Sequence, residues 1–153
     1  MVSVQAVCNT VLCKAFDENI PVTPMKLQKI IYFIYRDYLQ RTGNQLFCDN
    51  FQTWKYGPVV VSVYDEFKSF GSDKITRFAK DAQGKVKIIK NTATEIIQSI
   101  DIIWALCKNM NGIELSKITH EPNTAWYLAW TNRKDVLSVE DIKNDRIDIR
   151  INK

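Results

Sequence analysis

Two long segments at the start of the chain carry apolar residues at helical spacing. Residues 2–17 repeat an apolar position every third or fourth residue, which predicts a first amphipathic helix. The next predicted helix begins with Thr23 as its N-cap and Pro24 at its first position, and it ends before Gly43. Its centre, residues 30–35, is apolar all round, which is typical of a helix buried on most sides. We therefore expect this second helix to be the centre of the fold.

Shorter helices are predicted along the remainder of the chain. They are expected from Pro58 to about Gly71, over 93–110 behind a Thr92–Glu95 capping box, from Asn111 to about His120, from Asn123, and from Ser138. Residues 45–56 alternate loosely and predict a short strand.

Two further segments predict β structure. Residues 74–90 hold two apolar runs on either side of a turn that contains Gly84, which is typical of a hairpin. The tail alternates Ile147, Ile149 and Ile151 with polar residues, and we expect it to add a third strand to that hairpin, because an isolated hairpin is only marginally stable.

The pattern of helices and strands along the chain predicts a single domain over residues 1–153. Its fold class is α+β and predominantly α-helical, with a small antiparallel β element at one edge.

One short stretch, Trp54-Lys55-Tyr56-Gly57-Pro58, combines residue types that rarely occur together. Glycine can adopt backbone angles closed to other residues, and proline fixes its own φ angle and restricts the residue before it. The stretch therefore predicts a rigid turn that either presents or buries Trp54 and Tyr56. A rigid loop loses little entropy on binding, as a recognition loop requires.

Motifs before and after this turn carry a resemblance to a known family. Upstream is an "LQKxxY" helix over 27–32; downstream are the Val63–Lys68 segment, an "LSxxTH" motif over 115–120, and Trp126. In this order and spacing, over about residues 3–145, the chain resembles the Panacea domain family, also described as phage-associated or GepA-like. The resemblance implies an antitoxin of a bacterial or phage toxin–antitoxin pair. Some members resemble adaptors that deliver a toxin to a protease.

Composition limits the classes of function. The hydrophobic fraction of 46% and the charged fraction of 25% are ordinary for a globular protein, and the net charge of +4 is too small to indicate nucleic-acid binding by itself. The four cysteines form no CxxC pair and there is one histidine, so no zinc site is expected. With no signal peptide and no long apolar run, we expect reduced, mostly buried cysteines in a cytoplasmic protein without membrane spans.

Candidate chemistry rests on His120. Ser116 precedes it by one helical turn, so the two side chains could touch, and a small hydrolase that uses His120 is one alternative function. No GxSxG elbow, GxGxxG pattern or P-loop accompanies them, and we expect no catalytic residue, cofactor or metal. Two other interpretations of His120 stay open, namely contact with the free carbonyls of a helix C-terminus and contact with a partner.

The basic segment over 74–90 also has two interpretations. Its cations, opposed nearby only by Asp73 and Asp81, are Lys74, Arg77, Lys80, Lys85, Lys87 and Lys90. A β-ribbon of this charge could contact nucleic acid or an acidic protein, but lysines also protect solvated sheet edges from aggregation. We favour the solvated edge.

The sequence therefore predicts a binding protein, not an enzyme. We expect an antitoxin that neutralises a cognate toxin by direct contact, with a host protease as a further potential partner. A phage or mobile-element protein that inhibits a host defence or replication component is the alternative. The candidate partner-binding residues, taken from the turn, the helix after it and the aromatic positions near the end of the chain, are Trp54, Lys55, Tyr56, Gly57, Pro58, Tyr64, His120, Trp126 and Trp130.

Overall fold

The structure, a computed structural model, describes residues 1–149. Its helices are α1 (Val4–Glu18), α2 (Pro24–Thr42), α3 (Val61–Phe67), α4 (Thr94–Cys107), α5 (Gly112–Thr119), α6 (Ala125–Thr131) and α7 (Val139–Lys143), with a short 3₁₀ helix at Lys68–Phe70 after α3. Three strands, β1 (Phe51–Trp54), β2 (Gly57–Val59) and β3 (Val136–Leu137), form one antiparallel sheet in the order β2-β1-β3. The predominantly helical α+β class is confirmed.

Helix α2 is the central element, as its apolar pattern predicted. Thr23 caps it through its side chain, Pro24 occupies the first turn, and Gly43 ends it in the left-handed conformation. Every residue from Lys26 to Tyr35 is buried, because α2 contacts α1, α3, α4, α5, α7 and β2. Three polar residues near its start, Lys26, Gln28 and Lys29, are buried along with the apolar ones.

The hairpin lies at the sequence Trp54–Gly57 rather than in the basic segment. Trp54 pairs with Gly57 across β1 and β2, so Lys55 and Tyr56 form a tight turn. Pro58 belongs to β2 and not to the first turn of α3, which begins after Val60. The prediction of a helix starting at Pro58 was wrong because β2 is an edge strand, where proline's missing N–H leaves no ladder bond unmade.

The prediction of a β-hairpin over 74–90 was also wrong. These residues contain no strand, and side chains of α1 supply partners to four of their backbone groups. The Asn9 amide accepts a hydrogen bond from Ala79 N (2.8 Å) and donates to Ala79 O (2.9 Å) and Lys87 O (3.0 Å). Thr10 Oγ1 accepts from Ile89 N at 2.9 Å. Asn9 and Thr10 are buried, so they satisfy the segment without a ladder.

Within the described part of the chain, residues 145–149 pack on the core without forming a strand. Ile147 and Ile149 are buried, as their alternation predicted, but they do not pair with residues 74–90. Arg36 of α2 donates to the carbonyl oxygens of Asp145 (2.8 Å) and Ile147 (2.8 Å) and fixes the backbone there. Ile151, the third residue of the predicted strand, lies outside the described residues.

Candidate partner-binding face

The turn between β1 and β2 is held from below by side chains of three helices. Five carbonyl groups within residues 54–60 each accept a hydrogen bond from one of these side chains. The pairs are Trp126 Nε1 to Trp54 O (2.7 Å), His120 Nε2 to Lys55 O (3.0 Å), Ser116 Oγ to Tyr56 O (2.6 Å), Lys29 Nζ to Pro58 O (3.1 Å) and Gln28 Nε2 to Val60 O (3.0 Å). The turn is therefore ordered before any partner arrives.

Gly57 is the point at which the turn approaches the helices most closely. Its φ angle is +117°, a conformation that side chains rarely adopt. A β-carbon there would lie 2.6 Å from Cε of Lys29 and 2.8 Å from Oγ1 of Thr119. Both the backbone angle and the lack of space require glycine, which supports the prediction of a rigid turn.

Lys29 is a buried lysine on the underside of the turn. Its side chain is fully enclosed, and this desolvation lowers the pKa of its amine to about 7. The hydrogen bond from its Nζ atom to Pro58 O remains available whether the amine is charged or neutral. Lys29 therefore acts as a donor to the turn and as the surface against which Gly57 packs.

The upper surface of the turn is aromatic and exposed. Tyr56 is 56% exposed, and Tyr64 on α3 is 42% exposed and contacts the ring of Trp54 edge-on, with ring centroids 4.9 Å apart. The ammonium group of Lys55 lies over the ring of Tyr56, 5.4 Å from its centroid. Large aromatic residues that remain in solvent are the residue types enriched at binding hot spots.

A second aromatic group, on α6, is joined to the first by the hydrogen bond from Trp126 to the backbone of Trp54. Trp126 is buried, donates to Trp54 O, and stacks on Trp130, with centroids 5.2 Å apart. Trp130 is 46% exposed. The ring of His120 also packs edge-on against Trp126. We call the partly buried Trp54 and the exposed residues Lys55, Tyr56, Tyr64 and Trp130 together the turn face.

The predicted site residues therefore divide by position. Lys55, Tyr56, Tyr64 and Trp130 are exposed, and Trp54 and His120 are partly buried; Gly57, Pro58 and Trp126 are buried and support the others. That any of them contacts a partner stays a prediction. Sequence reasoning missed Gln28 and Lys29 as site residues. The signal that could have found them is their position directly before the wholly apolar centre of α2, residues 30–35.

Ser116 and His120 do not form a nucleophile–base pair. Both side chains point to the turn, where they bind the neighbouring carbonyls of Tyr56 and Lys55. Desolvation lowers the pKa of His120, and the charge of Lys29 lowers it further, while the hydrogen bond to Lys55 O opposes both effects. His120 is the C-cap residue of α5: its backbone N–H donates to the free carbonyls of the last turn, in line with one of its two structural interpretations, while its ring contacts the turn at Lys55 O.

Other candidate chemistry is limited in the described part of the chain. Residues 1–149 contain no group of three or more histidine, cysteine, aspartate or glutamate side chains placed to hold a metal. All four cysteines are free; Cys8 and Cys107 are buried, Cys13 is partly buried, and Cys48 alone is exposed, so it departs from the expectation of mostly buried thiols. Within residues 1–149, no helix combines the length and the apolar character needed to cross a bilayer.

These features define a mainly helical α+β domain in which a buried central helix holds a hairpin turn and an aromatic surface. The model of the family described as "Antitoxin SocA-like, Panacea domain" matches residues 27–127, which include every side chain that holds the turn. Antitoxin SocA of Caulobacter vibrioides (strain NA1000 / CB15N) is 30% identical over 129 residues, covering 82% of this chain and 69% of that protein. No solved structure matches the chain significantly. The chain therefore belongs to the SocA-like antitoxin family with a Panacea domain, as its motifs predicted.

Proposed function

We propose that this protein is an antitoxin that neutralises a partner toxin by direct contact through the turn face. Membership of the antitoxin family supports the functional class, and the related protein from Caulobacter vibrioides is itself named as an antitoxin. The observation that carries the proposed site is the set of five hydrogen bonds beneath the turn. Side chains of three helices fix the backbone there and leave the aromatic rings above it in solvent.

Binding suits this site better than catalysis does. Ser116 and His120, which a small hydrolase would need, are occupied by carbonyls of the turn. An aromatic surface on a preorganised turn instead supplies anchors for a partner at a small cost in entropy. A stable complex should bury roughly 1,200–2,000 Å² in total, with the turn face near its centre.

The test pairs this protein with the product of the adjacent reading frame, because toxin and antitoxin genes usually lie side by side. We expect that product to stop growth alone, and growth to resume when both are expressed. With purified proteins and no protease present, toxin activity should fall in proportion to added antitoxin and reach its minimum at a fixed stoichiometry. If the antitoxin inactivated the toxin catalytically, substoichiometric amounts of antitoxin would be enough. If it delivered the toxin to a protease, the toxin would stay active until the protease is added.

Matched variants test the face itself. Tyr56→Ala and Tyr64→Ala should each weaken toxin binding by about tenfold or more, as expected for hot-spot residues, with an unchanged melting temperature. Ile113→Ala is the control, because Ile113 is 63% exposed but lies on α5 outside the turn face. Equal effects of all three variants on binding would contradict the proposed face.

A further inference from the structure

A cavity beside the turn face has the character of a binding site. It lies between the start of α2, the β1–β2 hairpin and α3, and its volume is about 470 Å³. Its apolar walls include Met25, Val59 and Val63, and the Trp54–Tyr64 ring pair forms one side. A volume of this size holds a large side chain, and small-ligand sites begin at a similar size.

The charge around this cavity has one sign. Lys29, Lys55 and Lys68 line it, and among the described residues 1–149 no aspartate or glutamate does so. The ion pair between Lys68 and Asp65, at 3.5 Å, joins two exposed side chains, and such pairs contribute little. Lys29 lies at the buried end, where its amine has Pro58 O as its partner.

An apolar cavity surrounded by lysines selects its occupant by chemistry. The walls favour an aromatic or large aliphatic side chain, which gains free energy by leaving water. The lysines favour carboxylates next to that side chain and disfavour other cations, because opposite charges attract over short distances even in solvent. The turn is already held in place, so binding does not require the cavity to form.

We propose that this cavity receives an apolar side chain of the toxin that is flanked in the toxin sequence by acidic residues. This inference rests on the proposed antitoxin function for its partner, but the cavity and its charge are properties of this chain alone. The acidic neighbours of the anchor contact Lys55 and Lys68 at the rim, and the anchor contacts Val59, Val63 and the Trp54–Tyr64 pair. The cavity thereby gives specificity to a face whose aromatic rings would otherwise accept many partners.

Short peptides test this assignment without the toxin. The probes are acetyl-Asp-Phe-Asp-amide, acetyl-Lys-Phe-Lys-amide and acetyl-Asp-Ala-Asp-amide, titrated into the full-length protein and followed through the methyl NMR signals of Val59 and Val63. We expect the acidic Phe peptide to shift these signals and to bind about three- to tenfold more tightly than either other peptide at low salt. Equal binding of the acidic and basic Phe peptides, or shifts confined to other methyl groups, would overturn the proposal.

Charge reversal at the rim gives the matched test. Lys68→Glu should remove the preference for the acidic Phe peptide, whereas Lys90→Glu, an exposed lysine outside the cavity, should leave it unchanged. A preference that survives Lys68→Glu and also survives Lys55→Glu would overturn the proposal.

The same variants separate this inference from the proposed function. If the toxin is neutralised equally well by Lys68→Glu, Lys55→Glu and unsubstituted protein, the antitoxin function stands and the cavity is not the anchor site. If the peptides bind as expected but the adjacent gene product is not neutralised, the cavity stands and the proposed function fails.

Discussion

Gln28 and Val60 exchange two hydrogen bonds where the hairpin passes into α3. The side-chain Nε2 of Gln28 donates to Val60 O and Val60 N donates to Gln28 Oε1, each at 3.0 Å. Both residues are buried, so water does not replace either bond. Val60 is also the N-cap residue of α3, and no side chain caps that helix. The Gln28 amide therefore sets where the turn face ends and α3 begins.

The first prediction follows from this exchange. Gln28→Met keeps the size of the side chain but leaves the buried N–H of Val60 without a partner, at a cost of roughly 1–3 kcal/mol, while Val60 O keeps the N–H of Tyr64 at 3.1 Å. We expect a lower unfolding free energy by chemical denaturation and weaker toxin binding. Gln45→Met, an exposed position, is the control and should change the unfolding free energy by less than about 0.5 kcal/mol. Equal stability of the two variants would show that the exchange contributes nothing.

The second prediction concerns Gly57 and separates backbone strain from lack of space. Gly57→Ala places a β-carbon 2.6 Å from Lys29 Cε at a φ angle of +117°. Gly84→Ala is the control, because its φ angle is also positive (+76°) but nothing lies within 4 Å of its β-carbon position. We expect Gly57→Ala to lower the unfolding free energy by roughly 1–3 kcal/mol more than Gly84→Ala, because overpacking is added and because +117° lies further outside the left-handed region open to alanine than +76° does. The same loss in both variants would assign the whole effect to the backbone angle.

The third prediction is a pH dependence caused by Lys29. Its pKa falls from 10.5 to about 7 on folding because the amine is desolvated, so between these values the unfolded chain binds more protons than the folded protein. The unfolding free energy therefore rises with pH, and between pH 7 and 8.5 the contribution of Lys29 is on the order of 1–2 kcal/mol. Burial raises the pKa of Cys8 and Cys107, which acts in the opposite direction, but mainly above pH 9.

Lys29→Met tests the assignment of this pH dependence. The variant keeps the apolar stem and loses the titrating amine, so its unfolding free energy should vary less between pH 7 and 8.5 than that of the unsubstituted protein. The lowered pKa of His120 acts below pH 6.5, where stability should fall as pH falls, and so lies outside this window. The same rise in both proteins would mean that another group titrates.

Local sequence signals predicted the helices well where a cap residue and an apolar stripe agreed. Thr23 and Gly43 bound α2 as expected, and the capping boxes of Asn111–Glu114 and Ser138–Asp141 are both present. The box expected at Thr92–Glu95 was wrong: α4 begins at Thr94, and no side chain caps it. Capping depends on a few adjacent residues, so it can be read locally.

The candidate site was predictable only in part, because long-range contacts determine its geometry. The rigid turn follows from Gly57 and Pro58, but its partners come from residues far away in sequence, such as Gln28 and Trp126. The failed hairpin over 74–90 has the same cause. Its pattern fits a strand pair, but the side chain of Asn9 satisfies the backbone there, and no local rule anticipates that contact.

The C-terminal segment carries the last prediction, which concerns its docking on the core. Asp145 is buried; its carboxylate accepts hydrogen bonds from Tyr32 Oη (2.5 Å) and Ala125 N (3.1 Å) and so links α2 to the start of α6. Burial raises the pKa of this carboxyl group, although the hydrogen bond from Tyr32 opposes the rise. Asp145→Ala should lower the unfolding free energy by roughly 1–3 kcal/mol, because two buried donors lose their acceptor. Asp73→Ala, at an exposed position, is the control and should have little effect.

Truncation after Asn144 removes this carboxylate together with the buried Ile147 and Ile149. Burial of two isoleucines contributes roughly 3–6 kcal/mol, which is a large part of the stability of a domain of this size. We therefore expect the truncated protein to unfold at a much lower denaturant concentration, and to lose toxin binding because α6, which carries Trp130, is no longer fixed. Unchanged stability with lost binding would instead mean that the segment contacts the partner as an added strand. If neither property changed, the packing of Ile147 and Ile149 would contribute nothing to the fold.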